Sequence, residues 1–147
     1  MEEDQNVPWT MILRRLSSEL FRIFKKRIRE QVKIKLTIDE YALLLAINEK
    51  GDNVIQKNMA EAMGKDQSVV LKLIDSLEKK KLVKRIIGLN DRRKNFLVIT
   101  KKGEEVLEQY MKIELTLIDE LHQDIPRSEI ENFRKILLFI RNKAEKM

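Results

Sequence analysis

Three cations follow an aspartate in the middle of the chain, at Asp91, Arg92, Arg93 and Lys94. The runs on either side are apolar and rich in β-branched residues, which predicts two strands with the cations at the tip of their hairpin. Like charges crowded at a turn repel one another, so these side chains favour a partner of opposite sign. Arginine and lysine bind phosphate oxygens well, and Asp91 is placed to pair with Arg93 and fix its direction. The tip is therefore a candidate contact to a polyanion.

The positive charge of the whole chain is concentrated around this tip. The 147 residues include 30 Lys or Arg and 24 Asp or Glu, for a net charge of +6. Residues 65–102 hold 12 Lys or Arg against 4 Asp or Glu, residues 9–33 hold 8 against 2, and the remainder is acidic. A basic region beside acidic flanks is the electrostatic footprint expected of a protein that binds nucleic acid.

The composition also limits the function classes. The chain has 0 Cys and 1 His, which excludes disulfides and thiolate metal sites, and it has no glycine-rich phosphate loop. We therefore predict no enzyme activity, no metal site and no cofactor. No apolar stretch is long enough to span a membrane and the first residues do not form a signal peptide, so we expect a cytoplasmic protein with no membrane partner.

Six helices and one hairpin are predicted to position the cations. Apolar residues at helical spacing predict helices from Trp9 to about Val32, from Ile38 to a stop at Gly51, from Gln56 to Met63, from about Gln67 to Lys80, after a cap at Thr100, and after Pro126 from Arg127 or Ser128. Thr37 and Glu40 form a predicted capping box at the second helix. Strands are predicted in "LVKRIIG" and "NFLVIT". The fold class is thus mainly α with a small β-hairpin wing (α+β).

Two short helices joined by a tight turn and followed by a basic hairpin make a winged helix-turn-helix. In that arrangement the second helix of the turn presents its outer face to a major groove, and the hairpin reaches the adjacent minor groove. A narrow minor groove focuses negative potential, from which an inserted arginine gains. The three cations are then held at the hairpin tip because phosphates lie there.

Helical geometry identifies the outer face of the fourth helix. Its buried stripe consists of Val70, Leu73, Ile74 and Leu77, and the opposite side carries Ser68, Lys72, Asp75, Ser76 and Lys79. Lys79 to Lys81 are interpreted as a solvated helix end. The N-terminus of a helix favours an anion, so Gln56 and Lys57 at the start of the third helix are candidate phosphate contacts. The predicted DNA-binding residues are Gln56, Lys57, Gln67, Ser68, Leu71, Lys72, Asp91, Arg92, Arg93 and Lys94.

The chain resembles the MarR (multiple antibiotic resistance regulator) family of winged-helix transcription factors. The resemblance is carried by "MAEAMG", "SVVLKLIDSLEKKKLVKR", "DRRKNFLVIT" and the following "KKG", and it covers nearly the whole chain. Asp91 and Arg93 match the family's wing Asp-x-Arg, whose arginine resembles a minor-groove reader. Ser68 and Lys72 match DNA-facing positions of the family's recognition helix.

The resemblance implies a single MarR-like domain over residues 1–147. Residues 37–102 would form the winged helix-turn-helix lobe, and residues 9–33 and 103–147 the helical dimerisation region. It further implies a homodimeric repressor that binds double-stranded DNA and responds to a small molecule, often an aromatic acid. No motif in the sequence marks the lining of a pocket for that molecule. Two-fold symmetry predicts a pseudo-palindromic operator with half-sites about one helical turn apart.

The chain departs from the family pattern in two regions, the recognition helix and the turn that follows it. The family commonly has two more hydroxyl residues where this chain has Val69 and Leu71, and Leu71 would instead touch thymine methyl groups. A glycine is usual where Lys81 stands, so a left-handed helix cap at that position would be strained or absent.

One other function class stays open at this point. A winged-helix module can also bind RNA or a protein instead of a DNA operator. The basic wing disfavours a purely protein partner, and competition between duplex DNA and RNA would separate the two nucleic acids.

Overall fold

A computed structural model of the chain describes residues 5–51, 54–88 and 95–147. Its elements are α1 (Trp9–Gln31), α2 (Ile38–Lys50), β1 (Val54–Ile55), α3 (Gln56–Met63), α4 (Gln67–Lys79), β2 (Val83–Ile87), β3 (Asn95–Ile99), α5 (Lys101–His122) and α6 (Arg127–Glu145). This order confirms the predicted fold class, including the paired strands β2 and β3. The sequence did not predict β1.

The three strands form one antiparallel sheet in the order β1-β3-β2. Pairing of β2 with β3 runs from Val83 opposite Ile99 to Ile87 opposite Asn95, and Val54 of β1 lies opposite Leu97. A strand of two residues is too short to show an alternating pattern of apolar and polar side chains, so β1 has no recognisable pattern in the sequence.

The chain divides into two compact units, residues 1–113 and residues 114–147. The core of the first unit joins α2, α3, α4, the sheet and the first half of α5, and its fully buried side chains include Leu43, Leu44, Ile47, Met59, Val70, Ile74, Leu77, Leu82, Leu97 and Tyr110. Phe24 of α1 contacts the rings of Tyr41 and Tyr110, with ring centroids 5.6 and 6.2 Å away. In the second unit, α6 has no buried residue.

Capping residues set the helix boundaries as the sequence predicted. The Thr37 side chain accepts a hydrogen bond from the Glu40 backbone N–H while the Glu40 carboxylate accepts one from Thr37, so the capping box is present. The Thr100 hydroxyl accepts a hydrogen bond from the backbone N–H of Gly103 at 3.0 Å and so caps α5. At the end of α3, Gly64 adopts the left-handed conformation with φ 60°, which glycine enters without strain.

The end of α4 uses a left-handed residue that is not glycine. Lys81 has φ 64°. Its N–H donates to the Glu78 carbonyl at 2.9 Å, and the Leu82 N–H donates to the Leu77 carbonyl at 3.0 Å. These two bonds form a Schellman cap. The cap is therefore present, and a lysine occupies the strained position that the sequence departure indicated.

Candidate nucleic-acid interface

Helices α3 and α4 form the predicted helix-turn-helix. Gly64 ends α3, and Asp66 is the N-cap of α4, although its side chain makes no capping hydrogen bond. Met59 of α3 and Val70 of α4 are fully buried. Because burial fixes the inner faces of both helices, it also fixes which side of α4 faces water.

The predicted contact residues of α4 lie in its first two turns. Gln67, Ser68 and Lys72 are exposed, and Leu71 is half-buried. Residues four apart are neighbours on a helix surface, so Ser68 lies beside Lys72 and Gln67 beside Leu71. The structure therefore brings these four side chains together at the N-terminal end of α4.

The two predicted residues of α3 are its first two, Gln56 and Lys57. Lys57 is exposed and Gln56 is half-buried. The Gln56 side-chain oxygen accepts a hydrogen bond from the Arg85 Nε at 2.7 Å. Its amide nitrogen is then the end that can donate to another group.

The other four predicted residues, Asp91, Arg92, Arg93 and Lys94, lie outside the described residues. The strands that flank them are described, and they end at the pair Ile87 and Asn95. The assignment of the hairpin tip to the minor groove therefore stays a prediction.

Arg85 on β2 also belongs to this surface, although it is not among the residues predicted from the sequence. Its guanidinium contacts Asp75 of α4 at 2.5 Å and Glu78 of α4 at 2.9 Å. Burial alone would lower the pKa of Arg85, but the hydrogen bonds and charges of Asp75 and Glu78 raise it above its usual value. A sequence signal existed in the carboxylates three residues apart, but only the packing of β2 against α4 shows which cation they bind.

A second polar cluster lies on the inner side of α4 around the buried carboxylate of Glu40. This carboxylate accepts hydrogen bonds from Lys80 Nζ at 2.8 Å, the Ser76 hydroxyl at 2.9 Å and the Thr37 backbone N–H at 3.0 Å. Burial by itself would raise the pKa of Glu40, yet the hydrogen bonds from Lys80, Thr37 and Ser76 and the charge of Lys80 lower it overall.

This cluster corrects two predictions made from helical geometry. Ser76 was placed on the outer face of α4, but its hydroxyl donates inward to Glu40. Ser76 precedes the buried Leu77 and borders the apolar stripe, so a polar partner on α2 can reach it. Lys80 was interpreted as part of a solvated end, but its ammonium pairs with Glu40 and also donates to the Lys35 carbonyl at 3.1 Å.

A cavity of about 260 Å³ lies in the first unit, away from the predicted DNA contacts. Aromatic and aliphatic side chains form most of its wall, together with three cations; its lining residues are Phe24, Lys25, Ile28, Arg29, Lys35, Leu36, Ile38 and Tyr110. Within the described ranges no group of three or more His, Asp or Glu is placed to hold a metal ion. No helix there is long and apolar enough to cross a membrane.

A helix-turn-helix with a buried inner face, followed by a two-stranded wing, is the arrangement of a winged-helix protein. The family comparison gives the same class, because residues 22–110 match the model of the family described as "Transcriptional regulator SarA/Rot". This match spans more than half of the chain, and the protein belongs to that family. It is therefore a DNA-binding transcriptional regulator and not an enzyme.

Solved structures of MarR-type regulators share the fold. A crystal structure of MarR is 27% identical with a TM-score of 0.77, covering 98% of this chain and 95% of that one. CouR from Rhodococcus jostii, bound to p-coumaroyl-CoA, is 22% identical with a TM-score of 0.75, covering 91% of both chains. A mutant of S. aureus MepR bound to an oligodeoxyribonucleotide is 19% identical with a TM-score of 0.63, covering 95% of this chain and 99% of that one. The MarR-type resemblance inferred from the sequence is confirmed.

Proposed function

We propose that the protein is a homodimeric, ligand-responsive repressor that binds a pseudo-palindromic operator in double-stranded DNA. The observation that carries the proposal is the exposed N-terminal half of α4, with Gln67, Ser68 and Lys72 in water and the inner face of the same helix buried. A recognition helix needs this combination, because its base-reading side chains must be free while the helix itself is fixed.

The contacts divide by the chemistry of each side chain. Gln67, Ser68 and Leu71 would meet base edges in the major groove, where Leu71 suits thymine methyl groups. Lys72 would meet a phosphate or a base edge. Gln56 and Lys57 would bind phosphate at the start of α3, where unpaired backbone N–H groups already favour an anion.

The hairpin tip would enter the neighbouring minor groove. The proposal for Asp91, Arg92, Arg93 and Lys94 rests on the sequence, since a cluster of three cations at a turn favours a polyanion nearby. It is supported by the register of β2 and β3, which are fully paired up to Ile87 and Asn95.

Exposed apolar side chains support a homodimer formed by residues 9–33 and 103–147. In α1 one side of the first half carries Trp9, Ile12, Leu13 and Leu16, each at least 37% exposed. In α6 the exposed apolar residues are Phe133, Ile136, Leu137, Leu138 and Phe139. Monomeric proteins rarely leave extended apolar surface in water, so a partner is expected to cover it. In a homodimer the two DNA-binding lobes are related by two-fold symmetry, as a palindromic operator requires.

The cavity beside α1 supports a small aromatic acid as the effector. Phe24 and Tyr110 offer an apolar wall, and Lys25 and Arg29 offer positive charge to a carboxylate. The neighbour CouR was solved with p-coumaroyl-CoA bound, an aromatic acyl group on an anionic carrier. An effector that favours one arrangement of the two DNA-binding lobes would shift the population between DNA-binding and non-binding forms. We expect this to occur in the cytoplasm.

Selection of bound fragments from a random pool of duplex DNA tests the proposal. An enriched palindrome would support both the partner and the dimer symmetry. On that duplex, Arg93→Ala should weaken binding by about fivefold or more, since a specific contact contributes about 1–3 kcal/mol. Lys72→Ala should reduce the salt slope by about one unit if it meets a phosphate, or relax preference at one base pair if it reads a base.

The matched control is Lys50→Ala, which removes a similar charge from an exposed position at the end of α2. Equal affinity of the Arg93→Ala variant and the unmodified protein at physiological salt would refute the wing assignment. Competition with RNA of the same sequence separates the alternative function: equal preference for RNA would favour an RNA-binding module over an operator-binding regulator.

A further inference from the structure

We propose that Arg85 is a positioning residue for DNA recognition. One guanidinium joins the wing strand β2 to both helices of the helix-turn-helix, and it thereby holds α4, β2 and Gln56 in a single arrangement. This inference rests on the proposed function, because it assumes that α4 and the wing act together on duplex DNA.

All three nitrogens of the Arg85 guanidinium have partners. Nε donates to Gln56 at 2.7 Å, Nη1 to Glu78 at 2.9 Å, and Nη2 to Asp75 at 2.5 Å. The Arg85 backbone N–H donates to the other Glu78 oxygen at 3.2 Å. A guanidinium is planar and rigid, so three simultaneous bonds fix the position of β2 relative to α4 and to the start of α3.

The contact with Gln56 orients a predicted phosphate contact. Because the Gln56 oxygen accepts from Arg85, the amide nitrogen is left as the donating end of the side chain. Gln56 is also the first residue of α3, where backbone N–H groups have no partner within the helix. Arg85 thus sets a donor beside a helix terminus that favours anions.

The charges of the cluster argue against a role in general attraction to DNA. Asp75 is 64% exposed and Glu78 is 41% exposed, against 23% for Arg85. Two carboxylates and one guanidinium leave a net charge of −1, which repels a polyanion. Because the cluster opposes long-range attraction to DNA, its role is better explained by the fixed arrangement of β2, α4 and Gln56. Its neighbour Lys84 is exposed, and the Lys84 side chain makes no hydrogen bond or ion pair with any other described residue.

Lys84 therefore provides the matched control for charge. Arg85→Gln and Lys84→Gln each remove one positive charge from β2. Both should weaken binding to a non-specific duplex similarly, by a few-fold. On the selected operator, Arg85→Gln should lose about tenfold or more in affinity relative to Lys84→Gln, because the reading helix and the wing are no longer fixed together. Arg85→Lys keeps the charge but not the three-way geometry, so it should show a similar loss of specificity.

Removing the carboxylates that bind Arg85 separates an effect of geometry from an effect of charge, because the two predict different changes in specificity. Asp75→Ala with Glu78→Ala keeps Arg85 and removes two negative charges, and alanine preserves the helix. If charge alone matters, the double variant binds every duplex more tightly and the specificity ratio is unchanged. If Arg85 acts through position, non-specific binding rises while the ratio of operator to non-specific affinity falls.

Thermal unfolding and circular dichroism of each variant establish whether it is folded. If Arg85→Gln does not fold, the specificity ratio of the Asp75→Ala/Glu78→Ala protein tests the proposal instead. The inference is overturned by equal specificity ratios in the Arg85 and Lys84 variants, or by an unchanged ratio in the double variant. Failure of the proposed function looks different, because the unmodified protein would then show no preference for any duplex.

Discussion

Helix α4 is held by two polar clusters that are similar in size and opposite in setting. The inner cluster consists of Glu40, Ser76, Lys80 and Thr37; the outer cluster consists of Arg85, Asp75, Glu78 and Gln56. The Glu40 side chain is 5% exposed, whereas that of Asp75 is 64% exposed. The comparison shows that one helix can be fixed to its protein by one set of bonds and aligned with its wing by another.

Burial decides what each cluster contributes. Exposed ion pairs contribute about 0–1 kcal/mol, because water and salt screen both charges and the side chains lose freedom. A buried carboxylate with several donors contributes more, because removing its partners leaves polar groups without hydrogen bonds. The inner cluster should therefore contribute more to the free energy of unfolding. The outer cluster should contribute more to the selection of DNA.

The largest expected effect is on stability, from Glu40→Ala. This change removes one side of the capping box and leaves Ser76, Lys80 and the Thr37 N–H without their acceptor. We expect a loss of about 2–3 kcal/mol in the free energy of unfolding, measured by urea denaturation. The cost stays below that of a fully buried pair because the Lys80 side chain is 34% exposed and can turn to water.

Asp75→Ala is the matched control on the opposite side of α4. It also removes a carboxylate that binds a cation, but the loss should be about 0.5 kcal/mol or less. Equal destabilisation by the two variants would break the distinction between the clusters. A Glu40→Ala protein that is destabilised yet keeps its operator specificity below its unfolding temperature would sharpen it.

Acid should weaken the inner cluster. The pKa of Glu40 lies below the ordinary value of 4.5, so the folded state prefers the ionised form. The resulting stability is complete above pH 4.5 and is lost as the pH falls toward the lower, folded-state pKa. The free energy of unfolding should therefore fall over this range, because a protonated Glu40 no longer attracts the Lys80 ammonium.

Urea denaturation of the unmodified protein and of Glu40→Gln, from pH 6 to pH 3, measures that contribution. The stability difference between the two proteins should shrink as the pH falls, because Glu40 becomes as neutral as its replacement. A difference that stays constant with pH would show that the ionisation of Glu40 contributes nothing.

The sequence predicted the helices and most of their ends because those features are local. Thr37 and Glu40 are three residues apart, so their capping box can be inferred from spacing alone. The exposed N-terminal half of α4 follows from the positions of its apolar residues. The two polar clusters could not be inferred in this way. Glu40 binds partners 36 and 40 residues along the chain, and Gln56 and Arg85 are 29 residues apart.

The same limit explains the error at Ser76. Periodicity divides α4 into an apolar and a polar side, but a hydroxyl at the border can face either way. Its direction depends on whether a buried acceptor lies opposite, and here Glu40 of α2 is that acceptor. Arg85 went unnoticed because a cation in a basic strand has no local feature that separates it from Lys84.

A smaller effect than that of Glu40→Ala is expected at Lys81, which lies between the two clusters, directly after Lys80 and before the strand that carries Arg85. Its φ of 64° costs a residue with a side chain about 1–2 kcal/mol, whereas glycine adopts it freely. Lys81→Gly should raise the free energy of unfolding by about 0.5–1 kcal/mol, since the greater freedom of glycine in the unfolded chain offsets part of the relief. Lys79→Gly is the control, an exposed lysine at the last residue of α4 whose replacement should cost up to about 1 kcal/mol. Opposite signs in thermal unfolding would show that the turn joining the clusters is strained, and two losses would show that the lysine at position 81 contributes contacts that outweigh its backbone conformation.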